Sequence, residues 1–173
     1  MPELPEVETT RRGIAPHLCG RRISGVTVRQ AKMRWPVPDD LAQQIGGLTV
    51  VAVERRAKYL LLRFAAKAAS GERTLILHLG MSGSLRICSD TTPAGRHDHL
   101  DLLLDNGSLL RLCDPRRFGG VMVVKGDPLL TPHLQRLGPE PLSAQFNSDY
   151  LLSTTTTRSR ALKLHLMDQA VVV

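Results

Sequence analysis

Residues 100–112, LDLLLDNGSLLRL, place two apolar segments on either side of Asp105-Asn106-Gly107. The segments Leu100 to Leu104 and Leu109 to Leu112 have the length and composition of strands. An Asn-Gly pair between two such segments is a strong signal for a tight β-hairpin. The stretch therefore predicts two adjacent antiparallel strands.

Further strand-like segments lie on both sides of this hairpin. They cover residues 23–28, 48–53, 59–64, 74–79, 85–87 and 121–124. Many short strands at close spacing, with only two helices near the amino terminus, favour an antiparallel sandwich or barrel. The sequence therefore predicts a mainly β fold.

The two predicted helices come early in the chain. Residues 5–19 carry apolar side chains at helical spacing and end before Gly20, and Arg11 is expected on the solvent side. A shorter helix bears Leu41 and Ile45. Both helices are expected to flank the strands.

The character of the chain changes after the last strand. Glycines and prolines over residues 126–142 predict an interdomain linker. Two helices are expected at 143–153 and 159–169, joined by a loop at 154–157, because β-branched threonines disfavour a helix interior. The apolar end, residues 170–173, has nothing after it to cover it, and this is typical of a truncated chain.

The composition favours a polyanionic partner. The 173 residues include 23 Lys and Arg against 16 Asp and Glu, a net charge of +7, which suits nucleic acid better than an anionic membrane. No apolar run has the length of a spanning helix and no signal peptide is present, so a soluble, cytoplasmic protein is expected. The three cysteines are odd in number and far apart, which predicts reduced, mostly buried thiols rather than disulfides or a zinc site: Cys19, Cys88 and Cys113.

The first residues carry the most distinctive chemistry. Once the initiator methionine is removed, Pro2 presents a secondary amine. An α-amino group ordinarily has a pKa of about 7.7–8.0. Such an amine can attack a sugar C1′, expel the base and form an iminium, while Glu3 is a candidate general acid. Pro5, Glu6 and Glu8 are also typical of a helix start.

Seven blocks spread over the chain match one known family in order. They are PELPEVETTRRGI (2–14), RRAKYLLL (55–62), HLGMSGSLRI (78–87), HDHLDL (97–102), DPRRFGG (114–120), LGPEPL (137–142) and LMDQ (166–169). In these blocks the chain resembles the bacterial formamidopyrimidine-DNA glycosylases, base excision repair enzymes that excise oxidised purines such as 8-oxoguanine and nick the abasic site. Seven blocks in one order make a chance match a poor explanation.

The resemblance implies a domain organisation. Residues 1–125 are expected to form an amino-terminal catalytic β-sandwich flanked by two helices, 126–142 a linker, and 143–173 the start of a helix-two-turns-helix DNA-binding domain, truncated and without the family's zinc finger. The full-length family carries a structural zinc whose four cysteine ligands are absent here. No metal or other cofactor is therefore expected in this chain, which is predicted to be monomeric.

The resemblance also implies a catalytic set. Pro2 would be the Schiff-base nucleophile and Glu3 the proton donor, with Lys58 assisting protonation and Glu6 in support. Without the family resemblance, Lys58 is more typical of a strand-edge lysine that prevents aggregation than of a catalytic residue. Strand cleavage by β-elimination is expected, whereas δ-elimination in the family uses a zinc-finger arginine that this chain lacks.

DNA contacts are implied for five residues. Met81, Arg116 and Phe118 would enter the duplex where the damaged nucleotide rotates out, although an isolated methionine or phenylalanine is more often a core residue. His97, Arg116 and Arg158 would contact phosphates; relatives commonly have lysine at the last position. The expected partner is double-stranded DNA containing oxidised bases or abasic sites.

Two other functions remain open. Enzymes of the endonuclease-eight type prefer oxidised pyrimidines, but their usual opening has glycine where this chain has Leu4. The second alternative is a truncated DNA-binding module without catalytic turnover. A clamp around DNA needs two lobes, and most of the second lobe is expected to be missing from this chain.

Overall fold

A computed structural model describes residues 2–67, 71–156 and 159–173, which form two compact units, Met1–Pro128 and Leu129–Val173. None of the described helices is both long and apolar enough to cross a membrane. The helices and strands of the first unit, in chain order, are α1 (Leu4–Leu18), β1 (Ile23–Val28), α2 (Leu41–Ile45), β2 (Val50–Arg56), β3 (Tyr59–Lys67), β4 (Gly71–His78), β5 (Ser84–Ser89), β6 (Asp98–Leu104), β7 (Ser108–Cys113) and β8 (Gly120–Lys125).

The described strands form two four-stranded sheets in which every pair is antiparallel. One sheet has the order β1-β6-β7-β5 and the other β2-β3-β4-β8. Side chains from both sheets and from both helices share one buried apolar cluster. The predicted antiparallel β-sandwich with flanking helices is confirmed.

The hairpin at residues 100–112 forms as predicted. Leu102 of β6 lies opposite Leu110 of β7, and both side chains are buried in the core. Gly107 adopts a φ of 78°, which favours glycine, and the Asn106 side chain accepts hydrogen bonds from the amide and hydroxyl of Ser108. Turn chemistry and strand pattern therefore specify the same register.

The same two strands carry a buried ion pair on their other face. Asp101 lies opposite Arg111 and accepts two hydrogen bonds from it, each 2.8 Å long. Burial opposes ionisation of Asp101, but the hydrogen bonds from Arg111 and Arg29 outweigh it and lower the pKa of the carboxyl. Arg111 also donates a hydrogen bond to the Pro93 carbonyl. The Asp101–Arg111 ion pair therefore anchors the segment that runs from Pro93 to His97.

The second unit contains two described α-helices that differ from the prediction. α3 runs Ser148–Thr155 and α4 runs Leu162–Leu166, whereas helices were expected at 143–153 and 159–169. α3 begins late because Asn147 caps it, its side-chain oxygen accepting from the Tyr150 amide at 2.9 Å. The residues before this cap form turns instead.

The loop predicted at residues 154–157 is wrong at its first two positions, which belong to α3. Thr154 and Thr155 donate their hydroxyls to the Leu151 carbonyl one turn earlier. These bonds satisfy the polar side chains within the helix.

The apolar carboxyl end is not left uncovered. Val171 is buried, and its carbonyl accepts a hydrogen bond of 2.8 Å from the Tyr150 hydroxyl. A Cβ at Gly138 would lie 2.5 Å from the Val171 backbone, so the residue at position 138 has to be glycine for this close packing. The end of the chain is thus part of the second unit.

Candidate functional site

The start of α1 fixes the backbone next to Pro2. Glu3 is the N-cap residue, in an extended conformation, and Pro5 occupies the first turn as predicted. The Glu6 carboxylate accepts the Glu3 amide at 3.0 Å, one half of a capping box. Pro2 itself is half-buried and lies outside the helix. The helix start therefore holds the residue before it in a defined position.

The β2–β3 hairpin brings Lys58 to this helix start. Ala57 and Lys58 form the turn between the strands, and Ala57 has a φ of 51°, unusual for a residue with a side chain. The Lys58 ammonium lies 2.5 Å from a Glu3 carboxylate oxygen. Two of the predicted catalytic residues are thus in direct contact as an ion pair, and one of them, Glu3, directly follows Pro2 in the chain.

Glu8 links the same helix to the same hairpin, a role that the sequence did not reveal. Its carboxylate accepts from Arg11, Arg12 and Arg55, at 2.8 to 3.1 Å. Arg55 in turn donates to the Ala57 carbonyl at 3.0 Å. Hydrogen bonding from Arg11, joined by Arg12 and Arg55, lowers the pKa of Glu8 to about 2.

This arrangement corrects one expectation about α1. Arg11 is partly buried between Glu8 and the Val53 carbonyl rather than turned to solvent. Glu8 therefore holds α1 and the turn carrying Lys58 in one fixed arrangement.

Replacing Glu8 with glutamine is expected to lower the free energy of unfolding by about 1–2 kcal/mol at neutral pH, because a neutral amide bonds guanidinium groups more weakly. The folded-state pKa of about 2 lies below the ordinary 4.5, so this stabilisation is present above pH 4.5 and is lost as the pH falls towards 2. Thermal unfolding between pH 7 and 2 should show the wild type and the variant converging. The exposed Glu54→Gln is the matched control, and a gap that stays constant down to pH 2 would refute the assignment.

Met81, Arg116 and Phe118 converge on one exposed surface. Met81 follows β4 and is 41% exposed, and Phe118, between β7 and β8, is 43% exposed. The Arg116 guanidinium lies 4.8 Å from the centroid of the Phe118 ring. Gly80 has a φ of 62°, and a Cβ there would lie 2.3 Å from the Phe118 carbonyl carbon. The two turns therefore touch, and the three side chains form one projection.

A cleft of about 340 Å³ lies beside this projection and is lined by Arg34, His78, Met81 and Phe118. Next to it, Trp35 stacks parallel to Tyr59, with ring centroids 6.2 Å apart, and lies 6.0 Å from His78. A Cβ at position 120 would lie 2.1 Å from the Trp35 ring, so Gly120 leaves the space in which the indole packs. Of these rings, His78 lines the cleft, and Trp35 and Tyr59 pack against it.

His97 lies at a second, basic cavity of about 280 Å³. Arg96, His99 and Arg117 also line it; Arg96 was not singled out from the sequence, although it directly precedes the HDH block. The predicted phosphate contact Arg158 lies outside the described residues. Clustered cationic side chains around a cavity suit an anion such as a phosphate.

Among the described residues, no group of three or more His, Cys, Asp or Glu side chains is arranged to hold a metal ion. The three cysteines are free thiols on different elements: Cys19 follows α1, Cys88 lies on β5 and Cys113 on β7. Cys19 is exposed and the other two are only half-buried, so the expectation that the thiols are mostly buried is wrong. The structural zinc implied by the family resemblance does not fit these residues.

Solved structures similar to this chain come from Lactococcus lactis. One is described as the wild-type enzyme Fpg (MutM) in complex with DNA containing N7-benzyl-Fapy-dG; it has a TM-score of 0.88 and 29% identity, over 99% of this chain and 62% of that one. Another, with the same TM-score and coverage and 28% identity, is described as a complex with DNA containing an abasic site. The fold is therefore shared along nearly the whole chain.

The formamidopyrimidine-DNA glycosylase of Laribacter hongkongensis is 56% identical over all 173 residues, which span 62% of that relative's length. The family model for the formamidopyrimidine-DNA glycosylase N-terminal domain matches residues 1–121. This match covers more than half of the chain, including α1, strands β1 to β7 and the turns that carry Lys58, Met81 and Phe118. The chain therefore belongs to the formamidopyrimidine-DNA glycosylase family.

Proposed function

We propose that this protein excises oxidised purines from duplex DNA and cleaves the resulting abasic site through a Schiff base on Pro2. The observation that carries the proposal is the 2.5 Å contact between Lys58 and Glu3, the residue that follows Pro2 in the chain. Glycosidic cleavage followed by elimination needs a nucleophilic amine and groups that supply and accept protons. Removal of Met1 would expose the Pro2 amine next to this carboxylate and ammonium.

In the proposed mechanism the damaged nucleotide first leaves the duplex, and Met81, Arg116 and Phe118 occupy the space it vacates. The Pro2 nitrogen then bonds to C1′ as the bond from C1′ to the base breaks, and the proton that this nitrogen loses neutralises the departing base. Glu3 protonates the sugar ring oxygen, so that the ring opens and a C1′ iminium forms. The resulting Glu3 carboxylate takes a C2′ proton, a C2′–C3′ double bond forms as the 3′ phosphate leaves, and water then hydrolyses the iminium.

Trapping with borohydride tests the proposal, because reduction turns the iminium into a stable amine. We expect a covalent adduct between the protein and a duplex carrying an abasic site, with mass spectrometry placing the DNA on the amino-terminal peptide. A duplex without the abasic site is the control. Absence of an adduct, once a free amino-terminal proline has been verified, would reject the lyase and favour a DNA-binding module without turnover.

Lesion preference separates the purine enzyme from the endonuclease-eight type. Duplexes that differ only in one lesion, 8-oxoguanine or an oxidised pyrimidine, are compared in single-turnover excision. We expect faster release of 8-oxoguanine. Faster release of the pyrimidine would assign the protein to the other substrate class and leave the Schiff-base chemistry in place.

DNA binding is expected to depend strongly on salt. If about five basic groups neutralise phosphates, the logarithm of the binding constant should fall with the logarithm of salt concentration at a slope of about −4 to −5. Replacing Arg96, at the basic cavity, with glutamine should reduce the slope by about one. Arg12→Gln is the matched control, because Arg12 pairs with Glu8 on α1. A slope near zero would exclude DNA as the partner.

A further inference from the structure

Asp114 is a fully buried carboxylate at the end of β7. One of its oxygens accepts the Ser82 hydroxyl at 2.6 Å, and the other accepts the Gly119 amide at 2.7 Å. A buried carboxylate is costly unless its oxygens are hydrogen-bonded. These two bonds therefore hold Asp114 to both of the turns that form the projection.

Ser82 completes the link between the turns. Its hydroxyl oxygen, while donating to Asp114, accepts the Arg116 amide at 3.2 Å. Ser82 follows Met81, and Gly119 follows Phe118. Met81 and Phe118 therefore each precede a residue that is hydrogen-bonded to Asp114, and Arg116 is itself hydrogen-bonded to Ser82.

We propose that Asp114, acting through Ser82, is a positioning residue that holds the Met81 turn and the Arg116–Phe118 turn together as one preformed wedge. The inference rests on the proposed function. Asp114 is buried and acts only through its partners. A wedge that is already ordered before binding avoids the entropy cost of ordering two mobile turns inside the duplex. Abasic-site recognition in duplex DNA, where a base step must be opened, therefore depends on these bonds.

The test compares duplex and single-stranded DNA carrying the same abasic site. Single-stranded DNA has no paired stack to open, so it does not need the wedge. In Ser82→Ala we expect the rate of borohydride trapping on duplex DNA to fall by about tenfold, the loss of two hydrogen bonds, while the rate on single-stranded DNA changes less than about twofold. Ser82→Thr, which keeps the hydroxyl, should restore the duplex rate. Ser24→Ala, at an exposed position of β1, is the matched control.

Equal losses on both substrates would show a general defect, and no loss on either would show that the bonds are dispensable; each result overturns the proposal. Hydrogen exchange in the free protein provides a readout that needs no catalysis. Ser82→Ala leaves the bond from Gly119 to Asp114 in place, so faster exchange of the Gly119 amide, by about tenfold, would show that the turns are coupled.

If the Gly119 amide of Ser82→Ala exchanges at the wild-type rate, the two turns are not coupled, and this conclusion holds even if no covalent adduct can be trapped. If the wild-type protein forms no borohydride-trapped adduct with either DNA, the proposed function is rejected instead. The two failures are therefore distinguishable.

Discussion

Replacing Pro2 with glycine is expected to reduce the borohydride-trapped adduct by at least about 100-fold. Glycine is small enough to permit removal of the initiator methionine, so the variant keeps an amino-terminal nitrogen at the same position. It loses the pyrrolidine ring, which makes the nitrogen a secondary amine whose condensation product is necessarily a charged iminium. The measurement is the initial rate of adduct formation on a duplex with an abasic site.

Pro16→Gly is the matched control, because Pro16 is exposed within α1 and away from Lys58. It should trap at the wild-type rate. An adduct that forms normally in Pro2→Gly, on a peptide containing a lysine, would show that another amine is the nucleophile and would remove the basis of the proposed mechanism.

The second large effect is expected for Glu3→Gln. Excision of 8-oxoguanine should fall by about 100- to 10,000-fold, the usual contribution of a general acid. Trapping at a preformed abasic site should fall much less, because the sugar of an abasic site is a hemiacetal that opens to the aldehyde by itself and does not require Glu3 to protonate the ring oxygen. Single-turnover excision and trapping, measured on matched duplexes, give the two rates.

Glu6→Gln serves as a comparison within the same turn. Glutamine keeps an oxygen that can accept the Glu3 amide, so this variant should retain the helix start and most of the excision rate. Equal losses of excision and trapping in Glu3→Gln, with a lowered melting temperature, would mean that Glu3 acts on the fold of the helix start rather than on the proton transfer.

The sandwich could be predicted because local signals agreed with one another. In the β6–β7 hairpin, strand length, apolar pattern and an Asn-Gly turn all specify the same pairing, and the structure has it. The start of α1 could be predicted because Pro5 and Glu6 suit a first helical turn. Such signals lie within a few residues of each other and need no knowledge of the rest of the fold.

Contacts between distant segments could not be predicted in the same way. The pairing of Glu3 with Lys58, and of Glu8 with Arg55, joins residues far apart in sequence. The resemblance to the family suggested the first pair by role, but nothing suggested the second. In the sequence Asp114 is only the first residue of the DPRRFGG block, whereas the structure shows its carboxylate buried and hydrogen-bonded to two turns.

The second unit shows where propensity misleads. Threonine disfavours a helix interior on average, yet Thr154 and Thr155 lie in α3 because their hydroxyls find carbonyls one turn back. The missed signal was Asn147, whose side chain caps the helix and sets its first turn. A cap that starts the helix outweighs a modest intrinsic preference near its end.

The packing of Trp35 has a practical consequence. It is the single tryptophan of the chain, held against Gly120 and within 6.0 Å of His78. Intrinsic tryptophan fluorescence therefore originates from one indole, which lies next to His78, a residue that lines the cleft beside Met81 and Phe118. If the proposed function holds, we expect the emission of that indole to change when duplex DNA binds at Met81 and Phe118, which allows binding to be followed without an attached dye.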